Sequence, residues 1–228
     1  MRKPNLPNTP SPFVPALVLL AVAALSHLVP AASAADSDRQ IKASWPAGEF
    51  DVVRFDISVA ELEVTAGSGD KIVVEILARC KRGERRCEQA LEDLELFDRT
   101  RGKALTIELE GYQKWGKGRI EVEAFLTIPA DLDFDLDMGV GEVNIEGLRG
   151  NLDLDLGVGE LTIDTEPGHL RSISLDVGVG DAQIYSDAKR LEGRRSFLIG
   201  SEVYWAEGKG DKRIKVDVGV GEVTVRLD

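Results

Sequence analysis

Acidic residues recur at fixed offsets in this chain, and their spacing is what could do chemistry. Asp137, Asp155, Asp176 and Asp217 each stand two residues before a Gly-Val-Gly word, and Glu142, Glu160, Asp181 and Glu222 each follow it. If the units stack, each set becomes a column of carboxylates about 4.8 Å apart, where unit charges repel by roughly 0.9 kcal/mol even in bulk water. Three chemistries would offset or use that repulsion. One is an Asx-type hydrogen bond from each Asp to the backbone N–H near the following glycine. Another is a row of divalent cations or a basic partner. The third is paired carboxylates acting on a glycosidic bond. The two columns are the candidate site; no catalytic residue, metal ligand or cofactor is assigned, with Ca2+ the divalent cation to test against them.

Other site patterns fail on their letters. Asp133-Phe-Asp-Leu-Asp-Met lacks the sixth-position glycine of a calcium loop, and Asn144 stands where a bidentate Glu is required. Every Gly-Val-Gly misses the dinucleotide fingerprint, because the sixth positions are Asn144, Thr162, Gln183 and Thr224. Gly111 to Lys117 matches most of a P-loop, but Gly118 replaces the Ser/Thr and a strand pattern follows. Beyond the leader, the one histidine is His169, in a Pro-Gly loop without a Gly-x-Ser-x-Gly word to accompany it. Cys80 and Cys87 are the two cysteines, and an even pair in an exported chain is most simply a disulfide.

The elements that must position the columns are repeats. Gly139, Gly157, Gly178, Gly200 and Gly219 align at spacings of 18, 21, 22 and 19, counting a degenerate unit near Phe197 to Val203. A weaker copy, Asp56-Ile-Ser-Val-Ala-Glu-Leu, lies upstream. Self-similarity at a period near 20 residues marks supersecondary units that bury their apolar faces only by stacking. Leu132, Phe134, Leu136, Met138 and Val140 alternate with polar residues, and the phase slips by one before Val143 and Ile145. That reads as strand, corner, short strand and loop, with glycine supplying the corner's backbone angles.

The expected fold class is all-β, a single-domain β-solenoid or β-helix-like stack with one short helix near the disulfide; a β-sandwich is the alternative. Expected inward columns are Leu136, Leu154, Leu175 and Val216, then Val140, Val158, Val179 and Val220, then Ile145, Ile163, Ile184 and Val225. Ser58 and the glycines at 139, 157, 178 and 219 form an outward lane of small residues. Upstream, 50–64 and 71–77 read as strands, 84–94 as a helix, and 104–110 with 119–128 as a hairpin across a turn holding Trp115. Helix or hairpin would cap one end of the stack, while 222–228 reads as a strand protected only by Arg226 and Asp228. Tyr204 and Trp205 fit the aromatic edge of a core better than a sugar platform.

Arg2 and Lys3, an apolar stretch from Phe13 to Val29, and Ala32-Ser33-Ala34 have the three parts of a secretory signal peptide over 1–34. The remainder divides into an irregular N-terminal β part, 35–130, and a repeat stack, 131–228, continuous as one domain. Without the leader, 26 basic residues face 40 acidic ones, a net charge of −14 with histidine neutral. That balance opposes nucleic acid and anionic lipid and suits cations, basic proteins or neutral glycans. No second apolar segment is long enough to span a bilayer.

A strand ending at Pro129, followed by Asp-Leu-Asp-Met-Gly-Val-Gly-Glu-Val-Asn-Ile and its copies, resembles the bacterial "putative adhesin" family of unknown function. The resemblance covers most of Ser44 to Asp228. It implies a β-solenoid-like domain of the cell envelope with no catalytic residues to carry over. The expected function is thus an exported, non-enzymatic, adhesin-like binding module, periplasmic or else at the cell surface or secreted, with an envelope protein or glycan as partner. The alternatives are a glycan-active enzyme using paired carboxylates along the columns, and a structural or stress-sensing periplasmic module.

Overall fold

The computed structural model describes residues 38–80, 87–111, 120–186, 189–192, 194–196 and 200–228. The expected leader 1–34, the Trp115 turn, most of the P-loop-like run and Phe197 to Ile199 lie outside the described residues. Residues 36–228 form one compact unit. In chain order its elements are β1 (Asp38–Pro46), β2 (Val52–Gly67), β3 (Lys71–Cys80), α1 (Cys87–Glu92), β4 (Glu95–Arg101), β5 (Ala104–Glu110) and β6 (Ile120–Pro129). There follow β7 (Asp133–Glu146), β8 (Leu152–Thr165), β9 (Leu170–Ser186), β10 (Lys189–Glu192), β11 (Arg194–Ser196), β12 (Gly200–Trp205) and β13 (Lys212–Leu227). The fold is mostly β: one large mixed sheet with a short helix beside a disulfide.

Five long strands, β2, β7, β8, β13 and β9, run parallel in that order at the centre of the sheet. Each is bent. Met138 and Val143 are both buried although residues five apart point to opposite faces of a straight strand, so the backbone turns between them. The sheet forks at this corner. On its outer edge β2 pairs with β5 through Ile57 and with β6 from Glu61; at the other side, β9 pairs with β12 over Ile173 to Val177 and with β10 over Gln183 to Ser186.

Short links carry the same message. Six Cα steps from Glu146 to Leu152 cover at most about 22 Å, whereas a straight 14-residue strand would put successive starts and ends about 46 Å apart. The two arms of each strand therefore fold back toward each other, and their inward side chains belong to one apolar cluster. The columns at Leu136 and at Ile145 are buried as expected, each aliphatic contributing roughly 1.5 to 3 kcal/mol.

Four expectations are corrected. First, the stack is not serial: the strand of the fourth clear copy, β13, lies between those of the second and third. Nearly identical words satisfy every neighbour equally, so they do not encode order. The same placement removes the expected exposure of the strand's edges, since the backbone of 222–227 is paired on both sides. Second, Val140, Val158, Val179 and Val220 point outward; the buried column before the corner is Met138, Leu156, Val177 and Val218. Third, β5 and β6 do not form a hairpin. The hairpin is β4 with β5, turning at Gly102 with a φ of 62°, and β5 and β6 each flank β2. Fourth, the degenerate unit around Gly200 is no parallel copy, since β12 runs antiparallel to β9 with Trp205 buried and Tyr204 outward.

Cys80 and Cys87 are joined, with Cα atoms 5.5 Å apart. The bridge ties β3 to α1, whose Cys87, Ala90 and Leu91 are buried against β1, β3 and β6. Arg39 donates to the carbonyls of Leu91 and Glu92, at 2.6 Å each, and holds the end of the helix to β1.

At the starts of the repeats, Asn151 donates through its backbone N–H (2.8 Å) and its Nδ2 (2.9 Å) to Asp133, and its Oδ1 accepts from the Arg213 N–H (3.1 Å). Burial pushes the Asp133 carboxyl up, but those bonds and the Lys212 ammonium hold it below its ordinary value overall. A depressed folded pKa gives stability that is full above the unfolded carboxylate value and lost as pH falls through the folded one. Asn151→Ala should cost about 1 kcal/mol near neutral pH in urea melts, shrinking in acid as Asp133 protonates.

Candidate functional site

The corner turns one repeated word into five rows. Strand register sets Asp56, Asp137, Asp155, Asp217 and Asp176 side by side, and beyond the bend Glu61, Glu142, Glu160, Glu222 and Asp181. Between these acidic rows runs a third, Val59, Val140, Val158, Val220 and Val179, exposed to between 42% and 48%. A lane of Ser58 and glycines separates the valines from the Asp row, and Ala60 with glycines separates them from the Glu row.

Glycine in these lanes is demanded by the neighbouring strand. A Cβ on Gly159 would sit 1.7 Å from the Gly141 carbonyl oxygen, at a φ of 152° that side chains seldom adopt. Each copy meets its neighbour in this way along the row, up to Ala60, whose oxygen faces Gly141. Ala60 itself bears a Cβ because, among the described residues, no strand is registered beside 58–60 on the forked edge of β2. The first copy departs from Gly-Val-Gly at the fork, where β5 ends its pairing with β2 and that of β6 has not begun.

All eight carboxylates singled out in the sequence fall in the two rows, in the order 137, 155, 217, 176 and 142, 160, 222, 181. Asp56 and Glu61 extend them by one layer; the weak upstream copy carried that signal. Alternation alone places the valine row in the core, since it continues through Val140 and nothing in the letters shows that the bend begins at Gly139. An open groove of about 510 Å³ follows the Asp row and its glycines.

Among the described residues, the side-chain hydrogen bond made by the row is the one that Lys215 donates to Asp217, and the expected Asx bonds to the backbone N–H near the following glycine are not formed. Lys215 is the compensating cation, paired with Asp217 and, at 3.5 Å, with Asp153. Asp137, Asp155, Asp176, Glu160, Asp181 and Glu222 form no ion pair with another described residue. Among the described residues, no group of three or more His, Cys, Asp or Glu is arranged to hold a metal ion.

Burial pushes the Asp155 carboxyl above its ordinary value; Lys215 opposes the rise, and Asp217, Asp153 and Asp137 add to it. Asp56 is raised likewise by burial, then by Asp137, Glu108 and Glu110. A raised folded pKa means that the native state holds the proton more tightly, so ionised Asp155 costs stability above that value. Asp155→Asn should stabilise the protein by about 0.5 kcal/mol near pH 7, and urea melts should show the gain vanish as pH falls through the carboxylate range. His169 stands apart on the 3-10 turn Pro167–His169, its imidazole pushed down by burial and by Arg149.

No family model matches this sequence, and no curated protein matches it. Among solved structures, a "putative cell adhesion protein" from Clostridium sporogenes is 12% identical, over 84% of this chain and all of that one, with a TM-score of 0.51. "Putative adhesins" from Bacteroides fragilis and Parabacteroides distasonis align over 83% and 85% of this chain and 98% of their own, at 12% and 11% identity. Their TM-scores of 0.26 and 0.24 carry no argument. The three neighbours named here bear "putative" adhesion names, as the sequence resemblance implies, and the chain shares its fold with the "putative cell adhesion protein" from Clostridium sporogenes.

Proposed function

We propose that the protein is an exported, non-enzymatic, adhesin-like module of the cell envelope that binds its partner with the outer corner. The observation that carries this reading is the row of five exposed valines between two carboxylate rows, repeated without a break in every central strand. Aliphatic side chains lined up on a surface signal contact with another molecule rather than packing within the chain. Bent strands closed by short links support a solenoid-like winding, which presents one such corner per layer.

Export is supported by the leader-like pattern of 1–34 and by the disulfide, which suits the periplasm or the cell surface. The excess of carboxylates argues for a protein or glycan partner and against nucleic acid. The Clostridium sporogenes structure that shares the fold is named a "putative cell adhesion protein", and we extend that role to this chain.

Immobilised full-length protein should retain envelope protein or glycan from a cell-envelope extract. The Val158→Ser/Val220→Ser variant should lose that capture while its urea midpoint stays within about 0.5 kcal/mol of the parent, as expected of exposed sites. Equal capture by both proteins would contradict the reading.

A further inference from the structure

We propose that the corner takes a cationic amphipathic helix of a partner protein, with the helix's apolar stripe on the valine row and its Lys and Arg side chains on the carboxylate rows to either side. The inference rests on the corner being the binding surface and adds what that surface binds.

Charge separates the corner from the rest of the molecule. On the arms of the sheet, several outward carboxylates pair with cations of this same chain: Arg54 meets Asp135 at 2.9 Å, Arg79 meets Glu123 at 2.8 Å and Arg226 meets Asp164 at 3.2 Å. At the corner, among the described residues, Lys215 alone forms an ion pair with the Asp row, Arg99 adds a weaker attraction at Asp56, and the Glu row forms no ion pair. Unpaired carboxylates thus stand on both sides of an apolar line, a pattern complementary to an apolar line with bases on both sides. A second copy of this chain would bring its own acidic rows and be repelled.

Dimensions select a helix. Five layers about 4.8 Å apart give a valine row of about 19 Å, the length of about 13 helical residues. Along one helix stripe, neighbours three or four residues apart lie about 5 to 6 Å from each other, near the layer spacing, whereas same-face residues of a strand repeat at nearly 7 Å. In the four Gly-Val-Gly layers, glycines on both sides of the valine leave no side chain to hold a helix away, only the small Ser58 and Ala60 flank Val59, and long Lys and Arg stems can lie over these lanes to reach the carboxylates.

Calorimetric titration of the full-length protein with three synthetic peptides of equal Lys and Leu content tests this. One has its leucines on a single helical stripe, one alternates them as a strand would, and one is scrambled. The helical peptide should bind at least about tenfold tighter than either other, with affinity falling as salt is raised. Val158→Ser/Val220→Ser and, separately, Glu160→Gln/Asp181→Asn should each weaken it by about tenfold. Equal binding of all three peptides, no binding, or indifference to both variants overturns the inference; tighter binding of the alternating peptide does so too. If envelope capture depends on Val158 and Val220 while the helical peptide does not bind, the corner remains the binding surface and only the helix is refuted. Should the valine variant fail to fold, the Glu160/Asp181 variant carries the comparison alone.

Discussion

A chain lacking residues 212–228 should not hold this fold. These residues are β13, registered against β8 on one edge and β9 on the other, so their loss opens a slot about two strand spacings wide, roughly 9.6 Å, through the middle of the sheet. Ile214, Val216, Val218, Val223, Val225 and Leu227 leave the core with them. At roughly 1.5 to 3 kcal/mol each, six buried aliphatics represent about 9 to 18 kcal/mol, which equals or exceeds the whole stability of an ordinary domain. Circular dichroism on heating should show no cooperative transition for the shortened chain. A serial stack would have lost only an end layer, and its remaining strands would melt cooperatively.

The second large effect is expected from one methyl group. Gly159→Ala places a Cβ 1.7 Å from the Gly141 oxygen and 2.8 Å from its carbonyl carbon, so β7 and β8 must separate at the corner or the backbone must leave a φ of 152°. Breaking the ladder between two central strands in this way should cost about 3 kcal/mol or more. Gly168→Ala, where no atom lies within 4 Å of the added carbon, should change the urea midpoint little. A matching small effect at Gly159 would mean that the strands do not stack as described.

What the sequence reveals, and what it hides, follows from how these strands are made. Leu136 and Ile145 announce their inward columns because alternation on a straight arm has only two phases. The corner is announced as well, by the slip in phase and the paired glycines. Its extent is hidden: Val140 continues the alternation of Leu136 and Met138 by letter, yet the turn has begun at Gly139 and carries that side chain outside. Carboxylate rows are legible as sets but not as sequences, because Asp217 can pair equally well with Asp155 or Asp176 and in fact touches both registers. The partners of β5 and β6 are hidden for another reason. Each fills half of one edge of β2, and a fork has no signature in the spacing of either strand.

Strand order carries the rest of the account, since the valine row, both carboxylate rows and the effect of removing β13 all depend on it. Backbone proton contacts between selectively labelled valines report that order, because neighbouring parallel strands lie about 4.8 Å apart and next-nearest ones about twice that. Cross-strand contacts should join Val158 with Val220 and Val220 with Val179, with none between Val158 and Val179. A direct contact between Val158 and Val179, with Val220 outside the pair, would contradict the account.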